Sequence, residues 1–172
     1  MEKKLKKVIK DVPDFPKPGI IFKDLTPVFK DGKIFKSLID YFYNRYKNKK
    51  LDAIVAVESR GFIIGAPLAY KLKVPFIPAR KPGKLPGETY KITYSLEYGT
   101  DAIEMHKDAL NKGDKVLIID DLLATGGTAN AVASLIEKAD AKVFELAFVV
   151  ELDELKGREK LQGRKVFSIV HY

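Results

Sequence analysis

The stretch VLIIDDLLATGGTA, residues 116–129, combines a strand pattern, two acids and a glycine-rich turn. Its apolar start, residues 116–119, is typical of a strand that is buried on both faces. Asp120 and Asp121 follow directly, and a Thr-Gly-Gly-Thr turn then opens a predicted helix. In sheets of parallel strands, ligands lie beyond the carboxyl ends of the strands. The stretch therefore predicts an α/β domain with a binding site at this edge of its sheet.

The turn after the two acids suits a phosphate group. We call it the glycine loop; it consists of Ala124, Thr125, Gly126, Gly127 and Thr128. Its backbone N–H groups can converge on an anion at the helix N-terminus, and glycine lets the main chain approach without a Cβ in the way. Asp120 and Asp121 would repel that anion, but as acceptors they suit sugar hydroxyls or water on a bound cation. Together the two halves predict a phosphosugar site.

The same stretch admits two other interpretations. A strand–turn–helix connection in any doubly wound domain would use the glycines only for turning, and it stays open as the simpler alternative. A nucleoside-triphosphate P-loop is disfavoured because no Lys-Ser or Lys-Thr follows the glycines, and the G-x-G-x-x-G spacing of dinucleotide folds is absent.

Length and composition limit the remaining classes of protein. A chain of 172 residues predicts a single domain, residues 1–172, and no 18-residue apolar run predicts a membrane span. The absence of cysteine excludes disulfides, thiolate catalysis and cysteine-bound zinc. Residues 1–7, MEKKLKK, lack the apolar region of a secretory signal, so we expect a cytoplasmic protein.

The net charge of +8 is spread along the whole chain rather than gathered in one tract. Specific nucleic-acid binding would favour a basic face or tract, and we expect none here. A small polyanionic substrate would be attracted by the same field.

Hydrophobic periodicity predicts strands that alternate with helices. An amphipathic helix is expected at 33–47, and a second helix at about 65–72 with Pro67 tolerable in its first turn. Strands are expected at 53–57, 74–78, 115–119 and 142–150, with a helix at 129–139. This alternation predicts a mostly parallel, twisted sheet flanked by helices on both faces.

A lid of loop and hairpin, residues 80–106, interrupts that alternation. Residues 81–89 contain two prolines and two glycines and have no periodicity, which indicates a loop. The next residues alternate between apolar and polar, so a strand with one apolar face is expected, with Glu97 on the other face and residues 102–106 pairing back. Arg80, Lys81 and Lys84 flank the loop, either as anion ligands or as solvated charge. Periodicity alone favours solvent exposure for Glu97.

Two further segments carry candidate binding residues. ESRGF, residues 58–62, follows a predicted strand, and Ser59 and Arg60 suit a second phosphate group unless this is an ordinary surface turn. The proline-rich, apolar residues 14–27 favour no helix, and we expect residues 1–32 to form a hood over the domain. Phe22 fits stacking on a flat base and core packing equally well. His106 and His171 match no metal-ligand spacing, so structural roles are expected.

These segments resemble the type I phosphoribosyltransferases, and within that family the enzymes that act on adenine. The resemblance covers almost the whole chain. It rests on DFPKPGIIFKDLTPV (14–28), ESRGF (58–62), RKPGKLPGET (80–89), SLEYGTD (95–101), the stretch 116–129 and VELDELKGREKL (150–161). The stretch 116–129 alone indicates the wider family, whereas the hood, the lid loop and SLEYGTD indicate adenine. The resemblance implies the fold of that family and the reaction of adenine with 5-phosphoribosyl-1-pyrophosphate (PRPP) to give AMP and pyrophosphate, with Mg²⁺ carried in by PRPP.

The resemblance also implies roles for single residues. The glycine loop would bind the 5-phosphate, and Asp120 and Asp121 the ribose hydroxyls. Pyrophosphate would be bound by Ser59 and Arg60, and by Arg80, Lys81 and Lys84, which could reach it across a homodimer interface. Adenine would be contacted by Ile21, Phe22 and Lys23, with Glu97 handling a proton at the base. The peptide between residues 58 and 59 is often cis in this family, and Lys23 stands where many relatives have arginine.

The sequence also leaves open two alternatives to adenine transfer. The same chemistry on another purine would need only a different base pocket. A PRPP- or purine-sensing regulator would use the same fold as a binding module, but such relatives usually add a DNA-binding domain. Only the 32 residues of the expected hood precede the first predicted amphipathic helix at 33–47.

Overall fold

A computed structural model describes residues 1–95 and 99–172, and the chain divides into two compact units, Met1–Arg45 and Tyr46–Tyr172. The first unit begins with helix α1 and an antiparallel hairpin of strands β1 and β2, in which Val12 lies opposite Phe22. Helices α2 and α3 follow. The bounds are α1 Glu2–Lys6, β1 Lys10–Pro13, β2 Ile21–Asp24, α2 Thr26–Lys30 and α3 Gly32–Tyr46.

The helix predicted at 33–47 is confirmed as α3, which begins one residue earlier. Asp31 Oδ1 accepts hydrogen bonds from the backbone N–H groups of Lys33 (2.9 Å) and Ile34 (3.1 Å), which satisfies donors in the first turn. The proline-rich segment is largely non-helical, as expected, except that α2 begins at Thr26. Pro27 is compatible with the first turn of a helix because its missing N–H would have no intrahelical partner there.

The second unit is built on a five-stranded parallel sheet in the order β4-β3-β7-β8-β9. The strands are β3 Ala53–Val57, β4 Phe76–Ala79, β7 Lys115–Leu123, β8 Lys142–Glu151 and β9 Val166–His171. The predicted parallel sheet is confirmed. Strand β3 is apolar throughout, and β7 is apolar from Val116 to Ile119, because both faces of the sheet are covered there. The last strand, β9, was not predicted.

Helices α4, Arg60–Leu72, and α5, Gly127–Lys138, cover opposite faces of this sheet. Val55 and Ile118 belong to the core cluster that includes the buried face of α5. The alternate residues Ala56 and Ile119 approach Gly65 of α4 instead. Successive side chains of a strand point to opposite faces, so the two helices form the outer layers of an α/β/α arrangement.

The predicted start of the second helix at residue 65 is wrong, because α4 begins at Arg60. Pro67 therefore lies inside the helix rather than in its first turn. Two glycines obscured the pattern in the sequence. A Cβ at Gly61 or Gly65 would come within 3.0 Å of β7 or β3 atoms, so tertiary packing of α4 against the sheet outweighs the low helix propensity of glycine.

The strand expected at 115–119 is longer than predicted. β7 continues to Leu123, so Asp120 and Asp121 lie within the strand rather than beyond its end. From Asp120 onward, the recorded strand pairing of β7 is with β8 only, as in Asp120 with Phe148 and Leu123 with Glu151. The neighbouring strand β3 ends at Val57. Asp120 and Asp121 therefore lie next to the turn that follows β3.

The predicted hairpin is confirmed as strands β5, Thr89–Ser95, and β6, Thr100–His106, which pair in antiparallel register. Tyr90, Ile92 and Tyr94 pack against the core cluster while Lys91 and Thr93 are exposed, as the alternation predicted. Glu97 falls outside the described residues. Among the helices in the described part of the chain, none has the length and apolarity that crossing a bilayer requires.

Candidate active site

The glycine loop connects the carboxyl end of β7 to the N-terminus of α5. Gly126 precedes the helix with φ +78°, a left-handed conformation that glycine adopts without steric cost. Its carbonyl accepts the N–H of Asn130 at 2.9 Å and so begins the helical ladder. The loop lines a cavity of about 100 Å³ together with Asp120 and Phe148. The predicted phosphate site is thus a concave backbone surface at a helix N-terminus.

The two acids lie beside this cavity in different surroundings. Asp121 is buried and its Oδ2 lies 2.6 Å from Nε of Arg60, whereas Asp120 is half-buried and lines the cavity. Asp120 Oδ1 accepts a hydrogen bond from the backbone N–H of Asp121 at 2.8 Å. Burial raises the pKa of Asp120, and the negative charge of Asp121 raises it further. Burial also raises the pKa of Asp121, although the Arg60 guanidinium opposes that rise.

The first turn of α4 is packed directly against these acids. A Cβ at Gly61 would lie 2.9 Å from the carbonyl oxygen of Ile119 and 3.0 Å from Oδ1 of Asp120, so only glycine allows this approach. The close contact brings Ser59 and Arg60 to the same edge of the sheet as the glycine loop. The peptide bond between Glu58 and Ser59 is cis, as the resemblance implied.

The carboxylate of Glu58 binds the three basic residues that follow β4. Its carboxylate accepts hydrogen bonds from Nη2 of Arg80 (2.8 Å), Nζ of Lys84 (3.0 Å) and the backbone N–H of Lys81 (3.1 Å). Arg80 is further fixed by two backbone hydrogen bonds with Glu104. The hydrogen bond from Arg80, followed by that from Lys84, lowers the pKa of Glu58 from 4.5 to about 2 despite the opposing effect of burial. Glu58 is therefore ionised at neutral pH.

A chain of polar contacts joins the glycine loop to the hairpin. Thr128 Oγ1 donates to the Tyr94 hydroxyl at 3.0 Å, and that hydroxyl lies 3.3 Å from Oδ2 of Asp101. The same Asp101 oxygen is paired with Nζ of Lys81. With Arg60 on Asp121 and both Arg80 and Lys84 on Glu58, each cation predicted for pyrophosphate is held by a carboxylate in this structure.

The structure therefore brings together the predicted residues of the second unit that it describes, which leaves out Glu97. It groups the glycine loop, the acids of β7, the turn at Ser59 and Arg60, and the basic residues after β4. The predicted adenine residues lie in β2 of the first unit: Ile21 is exposed, whereas Phe22 and Lys23 are half-buried. The Phe22 ring contacts Phe15 edge-on at 5.2 Å, and Lys23 Nζ lies 2.7 Å from Asp11.

Several residues of this site carried no predicted role. Glu58 adjoins Ser59, but its role depends on Arg80 and Lys84, which are 22 and 26 residues away. Tyr94 was expected only as part of an apolar face, although a phenol that packs on a core usually finds a partner for its hydroxyl. Asp101 carried no local signal. These contacts all depend on tertiary proximity.

Only one group of three potential metal ligands occurs within the described residues, and it lies elsewhere. Glu151, Asp153 and His171 bring ligand atoms within 4.8 Å of one another at the ends of β8 and β9. Both carboxylate oxygens of Glu151 are already held by Arg158 at 2.6 and 2.8 Å. His171 Nδ1 lies 2.9 Å from Asp153 Oδ1, and His106 Nε2 lies 2.8 Å from the carbonyl oxygen of Pro86. These contacts agree with structural roles for both histidines.

Comparison with known proteins gives a consistent family. The family model described as "Phosphoribosyl transferase domain" matches residues 28–170. An adenine phosphoribosyltransferase of Chloroflexus aurantiacus is 55% identical over 168 residues, which are 98% of this chain and 97% of that protein. The crystal structure of adenine phosphoribosyltransferase from Thermoanaerobacter pseudethanolicus superposes with a TM-score of 0.95 at 50% identity and covers 99% of both chains. The Saccharomyces cerevisiae enzyme, crystallised with adenine and an imino-altritol 1,6-bisphosphate, gives a TM-score of 0.93 at 45% identity over 97% of both chains.

Proposed function

We propose that this chain, which belongs to the phosphoribosyltransferases and within them to the adenine phosphoribosyltransferases, binds PRPP with the residues grouped at the edge of its sheet. The reaction transfers the 5-phosphoribosyl group of PRPP to adenine and gives AMP and pyrophosphate in purine salvage. The observation that carries the binding proposal is the position of an anion-binding loop next to two buried or half-buried acids and the Arg60 turn.

The glycine loop holds the 5-phosphate in this proposal. Gly126 and Gly127 are buried, and their backbone needs no rearrangement to offer N–H groups at the start of α5. Asp120 and Asp121 accept hydrogen bonds from the ribose hydroxyls. Their raised pKa values reflect an unfavourable burial of charge, which hydroxyl donors from the sugar would relieve.

Pyrophosphate is bound by Ser59, Arg60, Arg80, Lys81 and Lys84. Four of these are cations, and all four are paired with Asp121, Glu58 or Asp101 in the present structure. Pyrophosphate therefore binds these cations either alongside the carboxylates or by displacing them. Arginine fits this task because its fork of donors matches phosphate oxygens.

Mg²⁺ enters with PRPP in this proposal, and the donor set of the site fits it. Carboxylate oxygens are ligands that Mg²⁺ accepts, commonly with water molecules completing its shell, and Asp120 offers such an oxygen at the cavity. Asp120 and Asp121 would hold the ion through its waters. The ion supplies charge neutralisation on the leaving pyrophosphate.

Departure of pyrophosphate leaves positive charge on the ribose while a nitrogen of adenine attacks. Arg60 stabilises the charge that develops on the leaving group. The loop at 80–89 and the β5–β6 hairpin act as a lid that keeps water from the sugar. Glu97 moves a proton of adenine as its nitrogen attacks. Support for Glu97 is the SLEYGTD segment that the chain shares with the family.

Adenine is contacted by Ile21, Phe22 and Lys23 in this proposal. Phe22 offers a flat ring for the base, and the main chain of its neighbours reads the edge. The side chain of Lys23 pairs with Asp11, so the proposed contact of Lys23 with the base is made by its main chain. Lysine can then take the place of the arginine of many relatives at this position. The hood arrangement, a homodimer and a cytoplasmic location remain proposals from the resemblance and the composition. The single-domain organisation is a proposal from the length of the chain.

The test is a substrate panel with the purified chain, PRPP, Mg²⁺ and each purine supplied separately. We expect AMP from adenine and little product from hypoxanthine, guanine or xanthine. The variant carrying Asp120→Asn with Asp121→Asn should lose at least about 10²-fold in kcat/KM, because the ribose hydroxyls then face neutral amides in place of two charged acceptors. Asp114→Asn, an acid before the other end of β7, is the matched control. Unchanged AMP formation by the double variant would overturn the roles of the two acids.

A further inference from the structure

The glycine loop is supported from behind by a short turn of 3-10 helix, Gly157–Leu161, which we call the support turn. We propose that Arg158 and Glu151 are positioning residues for 5-phosphate binding, because their ion pair fixes the support turn against the glycine loop. This inference rests on the proposed phosphate-binding role of the loop. It adds residues that do not themselves touch PRPP.

The contact between loop and turn is backbone against backbone. A Cβ at Gly126 would come within 3.0 Å of the carbonyl oxygen of Gly157. A Cβ at Gly157 would in turn come within 3.0 Å of the carbonyl oxygen of Ala124 and lies 3.0 Å from the Leu123 side chain. Two glycines thus allow the chains to meet without side chains between them. Any shift of the support turn is therefore transmitted directly to the glycine loop.

The support turn is itself held to the sheet by Arg158. The guanidinium makes a two-pronged ion pair with Glu151, Nε to Oε1 at 2.6 Å and Nη2 to Oε2 at 2.8 Å, and donates to the carbonyl of Val166 at 3.2 Å. Glu151 ends β8 with its side chain only 4% exposed, and Ser168 of β9 donates to its Oε2 at 2.6 Å. The Arg158 stem follows Gly157 directly, so this anchor acts one residue from the loop contact.

The chemistry of the cluster favours an anchor over a ligand site. Burial by itself would raise the pKa of Glu151, but hydrogen bonds from Arg158 and Ser168 lower it, so the carboxylate is charged and satisfied. The guanidinium occupies both oxygens that a metal ion would need. Asp153 and His171 interact with each other at 2.9 Å at the edge of the cluster.

Loss of the anchor should therefore weaken phosphate binding selectively. Small misplacement of a binding group can cost about 10²-fold, and outer residues that orient ligands commonly contribute about 10–100-fold. For Arg158→Gln we expect the Kd of AMP and the KM of PRPP to rise about tenfold, within that range. The KM of adenine should stay within twofold of the parent. A merely structural role would lower the fraction of active enzyme, and hence kcat, with both KM values unchanged.

The matched control is Glu137→Gln. Glu137 lies in the last turn of α5, at the end of the helix opposite to the loop, and receives an equivalent two-pronged pair from Arg164 at 2.9 Å. In this variant Arg164 keeps its hydrogen bond to Asn130 in the first turn of α5. We expect this variant to keep the AMP Kd of the parent. Binding is measured by calorimetry on protein whose folding is verified by circular dichroism. If Arg158→Gln does not fold, Ser168→Ala removes one support of Glu151 while leaving the ion pair, and a smaller rise in AMP Kd is then expected.

Two further variants separate this inference from the proposed function. Gly126→Ala and Thr128→Val alter the loop itself and should weaken AMP binding if the loop holds the phosphate. Should both bind AMP like the parent, the phosphate-binding role of the loop fails. Should both weaken AMP while Arg158→Gln or Ser168→Ala does not, the loop keeps its role and only the positioning role of Arg158 and Glu151 is overturned.

Discussion

The glycine loop and the basic residues 80–84 both serve anion binding in the proposed mechanism, yet they are prepared for it in opposite ways. The loop presents backbone N–H groups that are fixed by a helix start and by the support turn. The basic residues present side chains whose charges are already engaged by Glu58 and Asp101. In the proposed mechanism, the loop binds the 5-phosphate without changing partners, whereas the basic residues must exchange carboxylates for pyrophosphate. That mechanism therefore predicts recognition of the phosphate by backbone geometry and of the pyrophosphate by competition with Glu58 and Asp101.

The largest expected effect is on the rigid side, at Gly126. Gly126→Ala places a side chain at φ +78°, within 3.0 Å of a fixed carbonyl, so the loop must move. We expect PRPP binding to fall by about 10²-fold, as for other small displacements of binding groups. The measurement is KM and Kd for PRPP and AMP.

The control for this variant is Gly113→Ala. Gly113 has φ +88° with open space around it, so it reports the backbone strain without the collision. Equal losses of affinity in the two variants would mean that the rigid contact with Gly157 contributes nothing to binding.

An intermediate effect, on pyrophosphate affinity, is expected from a change at Glu58, which pairs with the basic residues 80–84. Glu58→Gln removes the charge that competes for Arg80 and Lys84, so pyrophosphate should bind about twofold to fivefold more tightly, the scale of exposed ion pairs. AMP lacks the pyrophosphate group and should bind as in the parent. Inhibition constants for pyrophosphate and AMP test this. Weaker pyrophosphate binding would show that Glu58 instead holds these cations in their binding geometry.

The smallest effect is a difference in the pH dependence of stability between the two regions. The pKa of Glu58 is lowered to about 2, so its contribution to stability is present above pH 4.5 and is lost as the pH falls from there toward 2. The pKa of Asp120 is raised, so its charge destabilises the fold at neutral pH, and that cost is relieved as the pH falls through the raised pKa. Thermal unfolding measured across pH should therefore show a smaller fall of Tm in acid for Glu58→Gln than for the parent.

The companion variant Asp120→Asn should raise Tm at pH 7, because it removes a charge that its surroundings make unfavourable. It should also lower activity if that carboxylate makes the proposed ribose contact. Its Tm advantage over the parent should shrink in acid. A Tm at pH 7 below that of the parent would contradict the assignment of an unfavourable charge to Asp120.

Much of this arrangement follows from the sequence, and the exceptions have physical causes. The parallel sheet, the hairpin and the order of acids and glycines were predictable because apolar runs, alternation and turn residues are local signals. The start of α4 was not, because Gly61 and Gly65 weaken the helix pattern in order to approach the sheet. The final strand β9 and the contacts of Glu58, Tyr94 and Arg158 depend on residues distant in the chain.

The backbone contact between Gly126 and Gly157 limits how this loop can be grafted onto another protein. A peptide spanning residues 116–129 contains every backbone group that the loop offers, but it omits the floor on which that loop lies. The support turn begins at Gly157, 31 residues after Gly126, and Arg158 anchors it to the sheet. Grafting onto another scaffold, or trimming the chain after β8, therefore requires the carboxy-terminal segment to travel with the motif.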